Sequence, residues 1–262
     1  MRSASYASVV FAILILSTFS VGYTYAAPTV ILTDRVHAGS SSSTNWSGYA
    51  ITGGKGSVTY VRGSWVVPAI QGTCPATNQY SSFWVGIDGF SSNTVEQTGT
   101  DSDCQGGMPT YYAWFEFYPK PSYLIKAITV HPGDFISAYV YFSGQKFVVS
   151  IVDVTTGQSF STSARVSSAQ RSSAEWIAEA PSSSGGVLPL ANFGSVYFGL
   201  DYTGIPNTNY ATISGVSKPL GSFGSNIQQI TMVTGSGVLK AAPSVISSDG
   251  TSFFVQWYSS GP

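Results

Sequence analysis

SSFWVGIDGFSSNTVEQTGTDSDCQGGMPTYYAWFEFYP, residues 81–119, decides the fold class. Successive side chains of a strand point to opposite faces, and the stretch divides three times under that rule. In FWVGIDG, Phe83, Val85 and Ile87 point one way and Trp84, Gly86 and Asp88 the other. In TVEQTGTD, Val95, Gln97, Gly99 and Asp101 share a face. In TYYAWFEFYP, Tyr112, Trp114, Glu116 and Tyr118 oppose Tyr111, Ala113, Phe115 and Phe117. Each strand therefore has one packed side and one side presenting aromatics, carboxyls and an amide.

The same alternation continues on both flanks. TNWSGYAI and SVTYVRGSWVVP read as strands before the stretch. After it, FISAYVYFSGQKFVVSIVDVTTGQSFSTSARV reads as hairpin arms with turns at Ser143-Gly144 and Thr156-Gly157, and SAEWIAEAP, ATISGV, NIQQITMV and TSFFVQWY follow. No window carries a 3.6-residue apolar period, and turn residues recur about every 8–12 positions. The expectation is an all-β antiparallel two-sheet sandwich forming one domain over residues 44–262.

Residues 1–26 have the form of an export signal, with Arg2 ahead of the apolar run Val9–Leu16 and small residues up to a cleavage point after Ala26. Residues 27–43 form a short Ser-rich lead-in. The apolar run is too short for a good membrane span, so the expectation is a secreted, extracellular protein with no stable membrane association once the signal is removed. Export and the even count of two cysteines predict one disulfide, Cys74 to Cys104. The two histidines, His37 and His131, build no ligand cluster with them, and neither a metal nor another cofactor is expected.

Only 9% of residues are charged and the net charge is −1, against roughly 25% charged in ordinary soluble domains. There is no basic footprint for nucleic acid. Scarce charge also suits acid, because a chain with few carboxylates stabilised by folding loses little when they protonate. Such a composition is equally common in Ser/Thr/Gly-rich exported sandwiches.

Four glutamates exist, Glu96, Glu116, Glu175 and Glu179, each on a strand beside aromatics. Glu175 and Glu179 share a face but stand roughly 13 Å apart along one strand, so neither pairs with the other as acid and base. Glu175 reads as the cap of a sheet edge. No G-x-S-x-G elbow and no histidine in a triad context is present. Hydrolysis by this chain would run through a carboxyl activating water, with a donor for the developing oxyanion.

The motifs NWSGY, SWVVP, FWVGIDG, EQTGTD, YYAWFEFYP, AEWIAE and LANFGSVYF, in that order, resemble the glutamic peptidases, or eqolisins. The resemblance covers most of the chain after the signal. It implies a concanavalin-like β-sandwich, protein or peptide substrates, and acid-acting endopeptidase activity. It makes Gln97 and Glu179 the catalytic pair and places Trp84, Asp88, Asp101 and Glu116 in or around the substrate site; Trp114 and Tyr118, which share the face of Glu116, are expected to bind substrate with them. Glu179 would exchange a proton with water and the leaving amine, starting as base or as acid, while Gln97 would orient water and donate to the oxyanion. The expected state is a monomer. The loop between Asp88 and Gln97 and the lead-in are both shorter than in fungal members. A rival reading on the same architecture is a glycoside hydrolase or carbohydrate-binding module, with Glu116 and Glu179 on facing strands about 5–5.5 Å apart.

Overall fold

The chain is laid out almost entirely as strands, with burial continuous along the central β4, β5 and β11. The structure is a computed structural model that describes residues 39–261. The export signal over residues 1–26, and residues 27–38 of the lead-in, lie outside the described residues. In chain order the first strands are β1 (Gly39–Ser43), β2 (Trp46–Thr52), β3 (Val58–Val66), β4 (Ser82–Ile87), β5 (Val95–Gln105), β6 (Met108–Tyr118) and β7 (Tyr123–Ile125). Then come β8 (Phe135–Phe142), β9 (Phe147–Asp153), β10 (Ser159–Ala164), β11 (Ser173–Glu179) and the small pair β12 (Ser182–Ser183) and β13 (Gly186–Val187). The last group is β14 (Ser195–Phe198), the one-turn helix α1 (Leu200–Thr203), β15 (Tyr210–Ile213), β16 (Val216–Pro219), β17 (Ile227–Val233), β18 (Leu239–Pro243) and β19 (Phe253–Trp257). No helix among the described residues is long and apolar enough to cross a membrane.

Two layers result. The first runs β7–β6–β5–β4–β11–β2–β17–β1, antiparallel throughout except for the parallel pair β17–β1. The second runs β10–β9–β8–β3 and continues from β3 both to β15–β16 and through β14–β19–β18. The end of β17 pairs with β18 and joins the layers along one edge. The main core fills the space between them: Phe83, Val85, Ile87 and Trp176 from the first layer meet Val61, Trp65, Ile136 and Phe198 from the second. Buried indoles find partners there. Trp65 Nε1 donates to Thr100 Oγ1 at 2.9 Å and Trp176 Nε1 to the Arg62 carbonyl at 2.9 Å, which meets the requirement that buried N–H groups be paired.

The expected disulfide between Cys74 and Cys104 is present. It ties the loop after β3 to the far end of β5.

One expectation is corrected, and one stretch of the lead-in is seen to be a strand. Within the Ser-rich lead-in, the serines of β1 pair residue for residue with β17 from Gly39↔Gln228 to Ser43↔Met232. A run of serine carries no apolar alternation, so its strand rests on backbone pairing alone. Glu175 does not cap an edge: β11 lies between β2 and β4, and Glu175 sits opposite both Ala50 and Gly86.

Candidate active site

Register places the chemistry-bearing residues on the face of the first layer that turns away from the second. One row across that face reads Ile230, Gly48, Ile177, Trp84, Gly99, Trp114 and Leu124. Trp84, Ile177, Ile230 and Trp114 form a second, smaller apolar cluster here, packed against Trp46 and Tyr112. Gly99 is required beside Trp84: a Cβ at this position would stand 2.3 Å from the Phe83 carbonyl oxygen and 2.6 Å from Trp84 Cβ. The row on one side reads Trp46, Glu179, Ser82, Asp101 and Tyr112; the row on the other reads Ala50, Glu175, Gly86, Gln97 and Glu116. Gln97 and Glu179 therefore flank Trp84 diagonally.

Glu179, the last residue of β11, is held from both oxygens. The Trp84 indole N–H donates to Oε2 at 2.8 Å and the Asn45 side-chain amide to Oε1 at 3.2 Å. Asn45 is itself fixed, because Ser43 Oγ donates to its Oδ1 at 3.0 Å and its backbone carbonyl accepts from Ala180. Trp46 packs edge-on against Trp84, ring centroids 4.9 Å apart. Burial pushes the Glu179 carboxyl up to about 7, against the pull of these donors and with the nearby Glu116 charge adding to the rise. Desolvation disfavours the charged form, and here it outweighs the hydrogen bonds.

Gln97 is 6% exposed and donates from Nε2 to Glu116 Oε2 at 2.6 Å. Its carbonyl oxygen Oε1 is buried without a partner. Burial also holds the Glu116 carboxyl above its usual range, partly offset by the bond from Gln97. Glu116 and Glu179 belong to one layer with β5 and β4 between their strands, so the facing-strand arrangement of the glycosidase reading is not what the fold provides.

Asp101 belongs to a separate carboxyl cluster. The Tyr112 hydroxyl lies 2.7 Å from Asp101 Oδ2 and 2.9 Å from Asp103 Oδ2. A phenol has one hydrogen to give, so the second contact calls for a proton on one of the carboxyls. Burial, and for Asp101 the neighbouring charge of Asp103, raises both. Trp114 is buried on this same face with its Nε1 unpaired, and Tyr118 is 48% exposed.

Asp88 is placed apart from these groups. It follows β4 with φ of 72°, wholly buried, and accepts the backbone N–H groups of Gln170 at 2.8 Å, Arg171 at 2.6 Å and Ser172 at 2.9 Å. Its carboxylate stitches the segment leading into β11 onto the end of β4. Nearby, Glu96 and Glu175 are fully buried with no partner on any carboxyl oxygen. Burial, then the Asp88 charge, pushes Glu96 up to about 9, and burial first of all raises Glu175.

Sequence reading missed Asn45 and Trp46 as the clamp on Glu179. The NWSGY motif held the signal, but only the register Trp46↔Glu179 shows what it faces.

A model of the Peptidase A4 family matches residues 44–229. Aspergillopepsin-2 of Aspergillus niger is 32% identical over 179 residues, 60% of this chain and 62% of its own length. Scytalidopepsin B of Scytalidium lignicola is 34% identical over 140 residues, 52% of this chain and 51% of its own. The match thus spans between half and two thirds of each of these relatives. Among solved structures, the crystal structure of scytalido-glutamic peptidase with a transition state analog inhibitor superposes with a TM-score of 0.66 at 27% identity, covering 82% of this chain and 98% of that one. Motif order, fold and the matched span agree, and the chain belongs to the Peptidase A4 family, the eqolisins.

Proposed function

We propose that this chain is a secreted, acid-acting endopeptidase in which Glu179 and Gln97 cleave peptide bonds. The observation that carries the reading is the Glu179 carboxyl, clamped by Trp84 and Asn45 and yet raised to about 7. A carboxyl with that value enters an acid reaction carrying its proton. One oxygen gives the proton to the scissile carbonyl as the other takes a proton from the attacking water, so a C–O bond forms and the carboxyl stays neutral. In collapse the steps reverse roles: the carboxyl protonates the departing nitrogen, the C–N bond breaks, and a hydroxyl of the tetrahedral centre returns its proton to Glu179. Gln97 orients the water and donates an N–H to the oxygen on which charge develops, a contact worth about 10²–10³ in rate where it has been removed elsewhere.

The substrate would lie across Trp84 between Trp46 and the Trp114/Tyr118 side. Scytalido-glutamic peptidase, which shares the fold, takes a transition state analog inhibitor, and this supports a peptide site on the present chain. A disulfide is a mark of oxidising compartments and agrees with export. The test is Glu179→Gln assayed on casein and on a peptide at acid pH, with folding followed by circular dichroism. A folded protein without peptidase activity is expected; retained cleavage would overturn the reading.

A further inference from the structure

The unpaired Gln97 carbonyl oxygen sits in the same side chain whose Nε2 donates to Glu116. A primary amide facing a carboxylic acid makes two hydrogen bonds at once, N–H to the acid's carbonyl oxygen and acid O–H to the amide oxygen. A carboxylate supplies acceptors only. We propose that Glu116 works as the protonated partner of Gln97, closing a two-bond acid–amide pair that fixes the amide plane and leaves the outward N–H free for the reacting oxygen. The proposal rests on the Gln97 and Glu179 reading above and makes Glu116 a positioning residue acting through Gln97.

The surroundings favour a proton at Glu116. On the same face stand Asp101 from β5, Tyr112 and Tyr118 from β6, and Glu175 and Glu179 from β11, while β7 contributes Leu124. None of the eight strands of this layer carries a lysine, arginine or histidine. Any charge that these strands place on the face is therefore negative, and burial disfavours the charged form of Glu116 itself. A proton on Glu116 also gives the buried Oε1 of Gln97 the donor it lacks.

Glutamine at position 116 can make the same two bonds at any pH, whereas methionine fills the space and makes neither. The experiment measures kcat and KM of a peptide substrate from acid to neutral pH for wild type, Glu116→Gln and Glu116→Met, with Gln97→Ala and Glu179→Gln as references. Glu116→Gln should keep its acid-plateau kcat within about threefold, and Glu116→Met should lose about tenfold or more with little change in KM. The alkaline limb should fall with loss of two protons in wild type and of one in Glu116→Gln, a difference that stands even if Glu116→Met does not fold. Equal plateaus for the two variants, or an unchanged limb order, would overturn the pair while leaving the catalytic reading intact. Near-normal activity of Gln97→Ala would remove the catalytic reading, and the pair with it.

Discussion

Trp84 gives its indole N–H to Glu179 Oε2 at 2.8 Å while its ring is wholly buried between Ile177 and Gly99 in the register of the sheet. The bond stabilises the charged carboxylate, so it restrains the rise that burial imposes on Glu179. Trp84→Phe keeps an aromatic ring and deletes the donor. A hydrogen bond to a charged group is worth about 1.5–3 kcal/mol, or roughly one to two units in an acid's pKa. The alkaline limb of the pH–rate profile should therefore move upward, with a lower kcat. A limb that stays in place would show that this bond does not set the Glu179 proton.

The pH dependence of stability follows from six raised carboxyls, Glu96, Asp101, Asp103, Glu116, Glu175 and Glu179. Each binds its proton more tightly folded than unfolded, so its contribution is fully present below the unfolded value near 4 and is lost as pH rises through the folded value. That window runs up to about 7 for Glu179 and about 9 for Glu96. Asp249 has the opposite sign, its carboxylate being favoured by bonds from Ser247 and Thr251. Thermal and urea unfolding should show greatest stability in acid and a decline toward neutral pH, and Glu96→Gln should flatten the decline at its upper end. A melting temperature that climbs from acid to neutral pH would contradict this.

The scarcity of charge in the sequence suggested only that little would be lost in acid. The structure adds a gain, because six of the carboxyls are withdrawn from water and hold their protons more tightly when folded. That difference marks what the sequence could carry. The faces of β4, β5, β6 and β11 follow from period-2 alternation, and so do Trp84, Gln97, Glu116 and Glu179 on one of them. Which strands neighbour each other does not follow: β11 inserts between β2 and β4, and this non-local pairing is what buries Glu175 and brings Asn45 to Glu179. The serines of β1 and the short β18 carry too little hydrophobic contrast to announce themselves.

Asp88 lies on the same alternating face as Trp84 in sequence, yet its left-handed backbone and three backbone donors point to an architectural role. Asp88→Ala removes the acceptor and puts an alanine where φ is positive, at a combined cost of about 2–5 kcal/mol. The melting temperature should fall markedly, while the KM of the folded fraction stays close to that of wild type. A raised KM with an unchanged melting temperature would return Asp88 to substrate binding.

Gln97 and Glu179 flank Trp84 from opposite diagonals, and neither alone can complete the step proposed for them. A carboxyl that exchanges protons with water gains little if the oxygen receiving charge has no donor, and the donor gains little if no water is activated. Groups that act as a unit are strongly non-additive under mutation. Gln97→Ala, Glu179→Gln and the double variant should all be folded and nearly inactive, with the double variant scarcely slower than the worse single one. The measurement is single-turnover cleavage of a peptide at acid pH, which separates the chemical step from product release. Losses that multiply in the double variant would mean that the two side chains contribute independently. The amide would then belong to substrate binding, and Glu179 would work with some other donor on this face, for which Ser82, directly opposite it in the register, is the nearest candidate.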